Sequence, residues 1–197
     1  MFTVRKADQL EMDVRVQMSR IFADGFSQWL GYFSKDKEQI ARAFAHMFNL
    51  DQFYVAVAGD KVAGMAACSD GTSLSVKLNK KELREHLGLY KGSLAHMFLK
   101  KEFETPLANP SPTKCSIEFV GTAAEYRGQG GGSLIIGHIL EAAPYREFLI
   151  EEVADTNIPA MRLYEKMGFK EYKRTTIPPK RAGKIGINHI VSLKQVK

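Results

Sequence analysis

Cysteine is scarce in this chain: its 197 residues include two, Cys68 and Cys115. Neither has a second Cys or a His at metal-ligand spacing, so a zinc knuckle or a disulfide framework is not expected. Both sit in strand-like runs and read as reduced, semi-buried thiols. The five histidines form no HxxxH or HExxH pattern, which leaves no metal site to propose. Long apolar runs are also missing, and none approaches the length that crosses a bilayer. The first residues, Met1 to Asp8, lack the basic, apolar and small-residue order of a secretion signal, so a cytoplasmic location is expected. No repeat, low-complexity tract or linker divides the sequence. Residues 1–197 therefore read as a single domain, long enough for a sizeable core.

What is present is a positive balance. The net charge is +6, and from Arg162 onward the basic residues far outnumber Glu165 and Glu171. A basic face attracts nucleic acid, but equally any phosphorylated small molecule, or it is simply a solvated surface. No zinc-finger spacing and no pair of aromatic RNP-type strands accompanies it, which disfavours nucleic acid.

Periodicity sketches the elements. Phe2 to Arg5 reads as a strand. Leu10, Val14, Met18, Ile21 and Phe22 recur at helical spacing, as do Ile40, Phe44, Met47 and Phe48. Strands at 53–58 and 62–68 flank Gly59-Asp60, a two-residue hairpin signal. Residues 71–113 read as a helical insertion, with helices at 80–89 and 94–103 separated by Gly88 and Gly92 and followed by a proline-rich loop. Strands follow at 115–122 and 148–153, each leading into a helix. Gly168 is placed to stop the second of these helices. Strands at 169–174 and 185–193 around a Pro-Pro loop close the chain. The sum is a mixed α/β (α+β) fold with about seven strands.

The densest chemical signal is Tyr126-Arg127-Gly128-Gln129-Gly130-Gly131-Gly132-Ser133, between a strand and a helix. Such a turn leaves amide N–H groups free at a helix start, where the dipole is positive, and so suits a phosphate or pyrophosphate. It is not a P-loop, because no Lys follows the glycines. It is a poor dinucleotide fingerprint, because Gly128-x-Gly130-x-x-Ser133 lacks the third glycine and follows a hairpin and helices. Arg127-x-x-Gly130-x-Gly132, followed by Asn157-x-x-Ala160-x-x-Leu163-Tyr164-x-x-x-Gly168-Phe169, does fit a known pattern. Over about residues 115–174 the chain resembles the GNAT superfamily of acetyl-CoA-dependent N-acetyltransferases.

The resemblance implies a mostly antiparallel sheet flanked by helices and splayed between the fourth and fifth strands, with acetyl-CoA as cosubstrate and no metal. It implies that Gly128, Gln129, Gly130, Gly131, Gly132 and Ser133, with Arg127, cradle the pyrophosphate. Val120 and Thr122 match the backbone positions that pair with the pantetheine arm, and Asn157 matches a polar contact to that arm. Asn157 is also a helix N-cap type, and the two roles are compatible. Tyr164 matches the family's general acid, although its spacing with Ala160 and Leu163 is also that of a core residue. For the base, strict strand alternation would put Ser116, Glu118, Val120 and Thr122 on one face. Glu118 is the first candidate and Glu151, alternating with Leu149 and Val153, the second; each has an ordinary alternative as a strand-end carboxylate.

The resemblance also places the acceptor near Phe26–Phe33 and the loop at 175–184. Trp29, Tyr32 and Phe33 could line a pocket or belong to the core. Lys180, Arg181 and Lys184 favour an acidic acceptor or the cofactor's own phosphates. The expected acceptor is a small-molecule or peptide amine. A homodimer is left open. Two other readings stand beside the enzyme: a CoA-binding regulatory or catalytically silent GNAT relative, and a nucleic-acid-binding protein using the basic C-terminal face.

Overall fold

The computed structural model describes residues 2–197, apart from the side chains of Gln28 and Lys184. The strands are β1 (Thr3–Lys6), β2 (Phe53–Ala58), β3 (Lys61–Ser69), β4 (Lys114–Thr122), β5 (Glu147–Ala154), β6 (Lys170–Thr176) and β7 (His189–Val196). They form one seven-stranded sheet in the order β1-β2-β3-β4-β5-β7-β6. Every pairing is antiparallel except β4 with β5. The helices are α1 (Arg15–Gly25), α2 (Ser27–Leu30), α3 (Lys37–Phe44), α4 (Lys80–Leu87), α5 (Leu89–Phe103), α6 (Gly131–Ala142), α7 (Ile158–Lys166) and α8 (Pro179–Ile185).

Alternation along β2 and β3 sends side chains to two cores. On one face Val55, Met65 and Ala67 pack with Met18 and Phe22 of α1, Ile40 and Phe44 of α3, and Leu83 of α4. On the other, Ala56, Ala66 and Cys68 pack with Ile135, Ile136 and Ile139 of α6 and Tyr164 of α7. Each sheet face is thus covered by a helical layer, which leaves the sheet interior dry and the site to form where the sheet opens. Cys68 and Cys115 are both free and buried in the α6 core, Cys115 completely, deeper than the semi-buried position expected.

Four sequence expectations need correction. The first helix starts at Arg15, so Leu10 lies outside it. Gly92 does not break α5, which runs unbroken from Leu89. A Cβ on Gly92 would lie 2.5 Å from the Leu83 carbonyl oxygen, so this glycine lets α5 cross α4 at close range. The Pro-Pro loop contains α8, because Pro179 occupies a first-turn position where its missing N–H costs nothing. The last strand consequently begins at His189, not 185, and reaches Val196.

Candidate active site

The sheet opens between β4 and β5. The two strands are paired only where Lys114, Cys115 and Ser116 face Glu147, Phe148 and Leu149. Beyond that point β4 stays with β3 and β5 with β7. Each strand carries a bulge just past the split, two residues standing against one on its outer neighbour. The bulges coincide with Phe119 (φ 50°) and Glu152 (φ 59°), both in the left-handed region that non-glycine residues rarely adopt. Backbone strain of this kind concentrates at sites that use it. Here the bulges turn the two strands apart and leave a slot through the sheet.

The bulge in β4 also breaks strict alternation. Ser116 and Glu118 do share a face, the one covered by α1 and α3. Past the bulge, Val120 packs into the α6 core instead, and Thr122 lies against Gly132 on that side. Phe119 takes the α1 face together with Glu118. The slot therefore has different walls on its two sides.

On the α6 side lies the Gly-rich turn. Three helices of the fold begin with an Asx cap: the side chains of Asp36, Asn79 and Asn157 accept amide hydrogens in the first turns of α3, α4 and α7. Helix α6 has no side-chain cap, and its first backbone bond is from Leu134 N to Gly130 O, 3.0 Å. The amides of Gly130, Gly131, Gly132 and Ser133 thus have no partner among the described residues, and they converge at a helix N-terminus. Gly128 (φ 74°) and Gly130 (φ 85°) are in left-handed conformations with open space around them, so backbone conformation, not crowding, requires glycine. Gly132 is different: a Cβ there would lie 3.1 Å from the Leu163 side chain, so glycine sets the approach of α6 to α7. Gln129 donates to the Glu125 carbonyl at 2.9 Å. The Arg127 guanidinium pairs with Asp24 at the end of α1, which also holds Lys37. These cations keep the Asp24 carboxyl below its ordinary range, the Lys37 hydrogen bond contributing most.

Helix α7 borders the same side. Asn157 caps it through a 3.4 Å contact to Ala160 N and is itself exposed. Tyr164 is 5% exposed and packs against Phe169, and its hydroxyl has no hydrogen-bond partner among the described residues. Burial alone pushes its phenol well above the ordinary value.

On the α1 side, the Glu118 carboxylate accepts a short hydrogen bond from Ser75 and one from Ser116. Desolvation outweighs these bonds and raises its pKa. Next to it, Phe119 joins an aromatic group centred on Phe22. Its ring lies 5.5 Å from Phe103, 6.1 Å from Phe26, 6.2 Å from Phe22 and 6.3 Å from Phe53. Phe22 and Phe53 are fully buried, whereas Phe26, Phe103 and Phe119 are half-buried, leaving part of each ring exposed.

A profile of the acetyltransferase (GNAT) family matches residues 16–169, most of the chain. The chain belongs to the GNAT acetyltransferase family. No curated protein matches it in sequence. Among solved structures it is similar to an N-acetyltransferase from Staphylococcus aureus Mu50, at 16% identity and TM-score 0.63, over 98% of this chain and 100% of that one. It is similar to a GCN5-related N-acetyltransferase from Kribbella flavida, at 16% identity and TM-score 0.59, over 100% and 98%. A third is yncA from Salmonella typhimurium, solved with its cofactor acetyl-CoA, at 12% identity and TM-score 0.57, over 99% and 93%. At these identities the likeness establishes the GNAT fold.

The remaining candidates of this GNAT chain are exposed or belong to the core. Glu151 is exposed, receives a hydrogen bond from the Tyr172 hydroxyl, and stands with Glu152 in the β5 bulge beside the slot, which breaks its alternation with Val153. Burial and Glu151 push the Tyr172 phenol up to about 12. Phe33 is core, whereas Trp29 and Tyr32 are exposed. Lys180 and Arg181 are exposed on α8; the Lys184 side chain lies outside the described residues. Among the described residues, no cluster of three metal-ligating side chains occurs, and no helix is long and apolar enough to cross a membrane. Sequence reasoning missed Ser75, Asp24 and Phe119. The first two are joined to their partners only by the fold. The third had a signal: Phe119-Val120 are adjacent apolar residues in an otherwise alternating strand.

Proposed function

We propose that the chain transfers an acetyl group from acetyl-CoA to a primary amine by direct attack in a ternary complex. The observation that carries this reading is the two-sided slot: free amides on one side, a half-buried, partly desolvated carboxylate on the other. The free amides of Gly130 to Ser133, with Gly128 and Gln129, fit a pyrophosphate, and Arg127 stands beside them. The unpaired edge of β4 at Val120 and Thr122 fits the amide groups of a pantetheine arm, which would add to the sheet as a strand does. Asn157 is exposed at the α7 start and would contact the same arm. Acetyl-CoA supplies the acetyl group as a thioester with a thiol leaving group.

The amine must lose a proton before it attacks, and Glu118 is the group to take it. Its raised pKa brings it closer to the working range of a base, and Ser75 and Ser116 hold its orientation. Tyr164 would donate its hydroxyl hydrogen to the departing sulfur. A free thiol has a pKa of about 8.5 and a free phenol about 10, and burial lifts Tyr164 further. Its help is therefore limited to a modest factor. Glu151, exposed and already bonded, is not assigned a role.

The half-buried rings of Phe26, Phe103 and Phe119 beside Glu118 favour an acceptor whose amine is borne on an apolar carbon framework, in a small molecule or a peptide. Thermal-shift titration with acetyl-CoA, followed by thiol release over 2-phenylethylamine, spermidine and a lysine peptide, tests the reading. Stabilisation by acetyl-CoA and turnover strongest with 2-phenylethylamine are expected. Stabilisation without release from any broad amine panel would instead make the chain a CoA-binding, non-catalytic GNAT relative.

A further inference from the structure

The Glu118 carboxylate is held in part by a serine that lies outside the sheet. Ser75 belongs to the stretch between β3 and α4 and is buried. What fixes that stretch is the chain just before β2. Phe48 and Val76 form an antiparallel bridge. Around it, Lys77 N donates to Met47 O at 2.8 Å, and Asn49 N donates to Ser75 O at 3.0 Å. The far end is tied by Asn79 N, which donates to His46 Nε2 at 2.8 Å. At the near end the Asn49 side chain adds a second bond, from Nδ2 to Leu74 O at 2.5 Å. Only the amide nitrogen can donate to a carbonyl, so the chemistry fixes the orientation of this amide. Asn49 thus grips two successive carbonyls, those of Leu74 and Ser75. In an extended strand successive carbonyls point to opposite sides, so one residue meets both only where the chain bends. The chain bends at Ser75.

We propose that Asn49 is a positioning residue for the Glu118 side of the slot: by fastening this bend it aims the Ser75 hydroxyl at the carboxylate. The inference rests on the reading of Glu118 as the base. A serine hydroxyl turns on a single side-chain bond, so its reach is decided by where the backbone puts its Cα. Asn49 makes no hydrogen bond to Glu118 among the described residues and acts only through Ser75. The Ser75 hydroxyl donates to Glu118, which favours the charged carboxylate and opposes the effect of its burial. Without the side-chain bond from Asn49, the Leu74 carbonyl is free to turn, the bend relaxes and the hydroxyl moves off the carboxylate. Among the described residues no charged side chain acts on Glu118; Ser75, Ser116 and burial set its titration. That titration is therefore a gauge of where the Ser75 hydroxyl stands.

Carbon-13 NMR of the Glu118 side-chain carboxyl, followed from pH 4 to pH 9 in the full chain, reads this directly. Ser75→Ala should move the titration to higher pH, because one bond to the charged form is lost. Asn49→Ala should move it the same way. Asn49→Ala combined with Ser75→Ala should move it no further than Ser75→Ala alone, as expected when one residue acts through the other. The near-isosteric Asn49→Leu should match Asn49→Ala, which separates the lost donor from the lost volume. His46→Ala unties the far end of the same stretch; it should lower the melting temperature and leave the titration in place. Near-UV circular dichroism verifies that each variant is folded. An Asn49→Ala titration that coincides with that of the natural chain overturns the proposal. So do additive shifts in the double variant, or a His46→Ala shift as large as that of Asn49→Ala, which would make the effect a general loosening. Turnover separates this inference from the reading it rests on. Asn49→Ala should lower amine kcat/KM by about threefold to tenfold at pH 6 and by less than about twofold at pH 9, because the ionised fraction of the base is what falls. A shifted titration with turnover unchanged at both pH values would keep Asn49 as the residue that aims Ser75 and remove Glu118 as the base.

Discussion

The two sides of the slot are built from different materials. The α6 side is mostly backbone: free amides, left-handed glycines and an unpaired strand edge, all within residues 120–133. The α1 side is mostly side chains brought from far apart in sequence: Phe26 after α1, Ser75 after β3, Phe103 at the end of α5, and Glu118 and Phe119 on β4. On the proposed reading, the backbone side recognises what its ligands share, a pyrophosphate, and so needs only a short local motif. A side-chain wall recognises what differs between acceptors, and it can change one residue at a time without disturbing the donor side. If this division holds, substitutions on one side should leave the affinity of the other nearly unchanged.

The largest expected effect is at Glu118. Glu118→Gln should lower kcat/KM for amines at pH 7 by about 10²–10³-fold, the usual contribution of a positioned base, while the acetyl-CoA Kd stays within about twofold. In the natural chain the rate should rise with pH through an apparent pKa above the ordinary carboxylate range, because the base works only when ionised. The same shift has a sign for stability. A raised folded-state pKa means stability that is present at low pH and lost as pH rises through the folded pKa. Glu118→Gln should therefore be at least as stable as the natural chain at pH 8 by thermal melting, and a collapse in stability there would count against a desolvated carboxylate.

Tyr164→Phe comes next, with kcat lowered by about 10–100-fold and both affinities kept, since the ring stays and only the hydroxyl is lost. Unchanged turnover on a good acceptor would remove the acid role. Gly130→Ala places a side chain at φ 85°, which costs about 1–2 kcal/mol. Isothermal titration should find acetyl-CoA binding weaker by about tenfold with the amine KM unaltered. A smaller effect is expected at Asp24, which joins α1 to Arg127 and Lys37 through exposed pairs of little individual worth. Asp24→Asn should change acetyl-CoA affinity less than threefold. A larger change, or one in the amine KM, would mean that the two sides are coupled through this carboxylate.

Legibility in the sequence followed the same division. The hairpin at Gly59-Asp60, the α6 start, the Asn157 cap and the Gly168 stop are local events in which a few adjacent residues decide the conformation. They could be read directly, and the proposed donor cradle is built on them. The β4 bulge could not, because alternation assumes an unbroken ladder, and Phe119 turns left-handed only where β5 leaves. That single residue moved Val120 and Thr122 to the opposite face from Glu118. Gly92 misled for a related reason: a glycine at a helix crossing and a glycine that ends a helix look alike until the neighbouring helix is present. Ser75 and Asp24 have no local mark, since their partners are distant in the chain.

Hydrogen–deuterium exchange with and without acetyl-CoA tests the donor side most directly, because the ligands proposed there are backbone amides. The account predicts slowed exchange at Gly128–Ser133 and at Phe119–Thr122, with Ser27–Phe33 and Leu89–Phe103 unaffected. Protection absent from both segments, or confined to the basic stretch after Arg162, would contradict it.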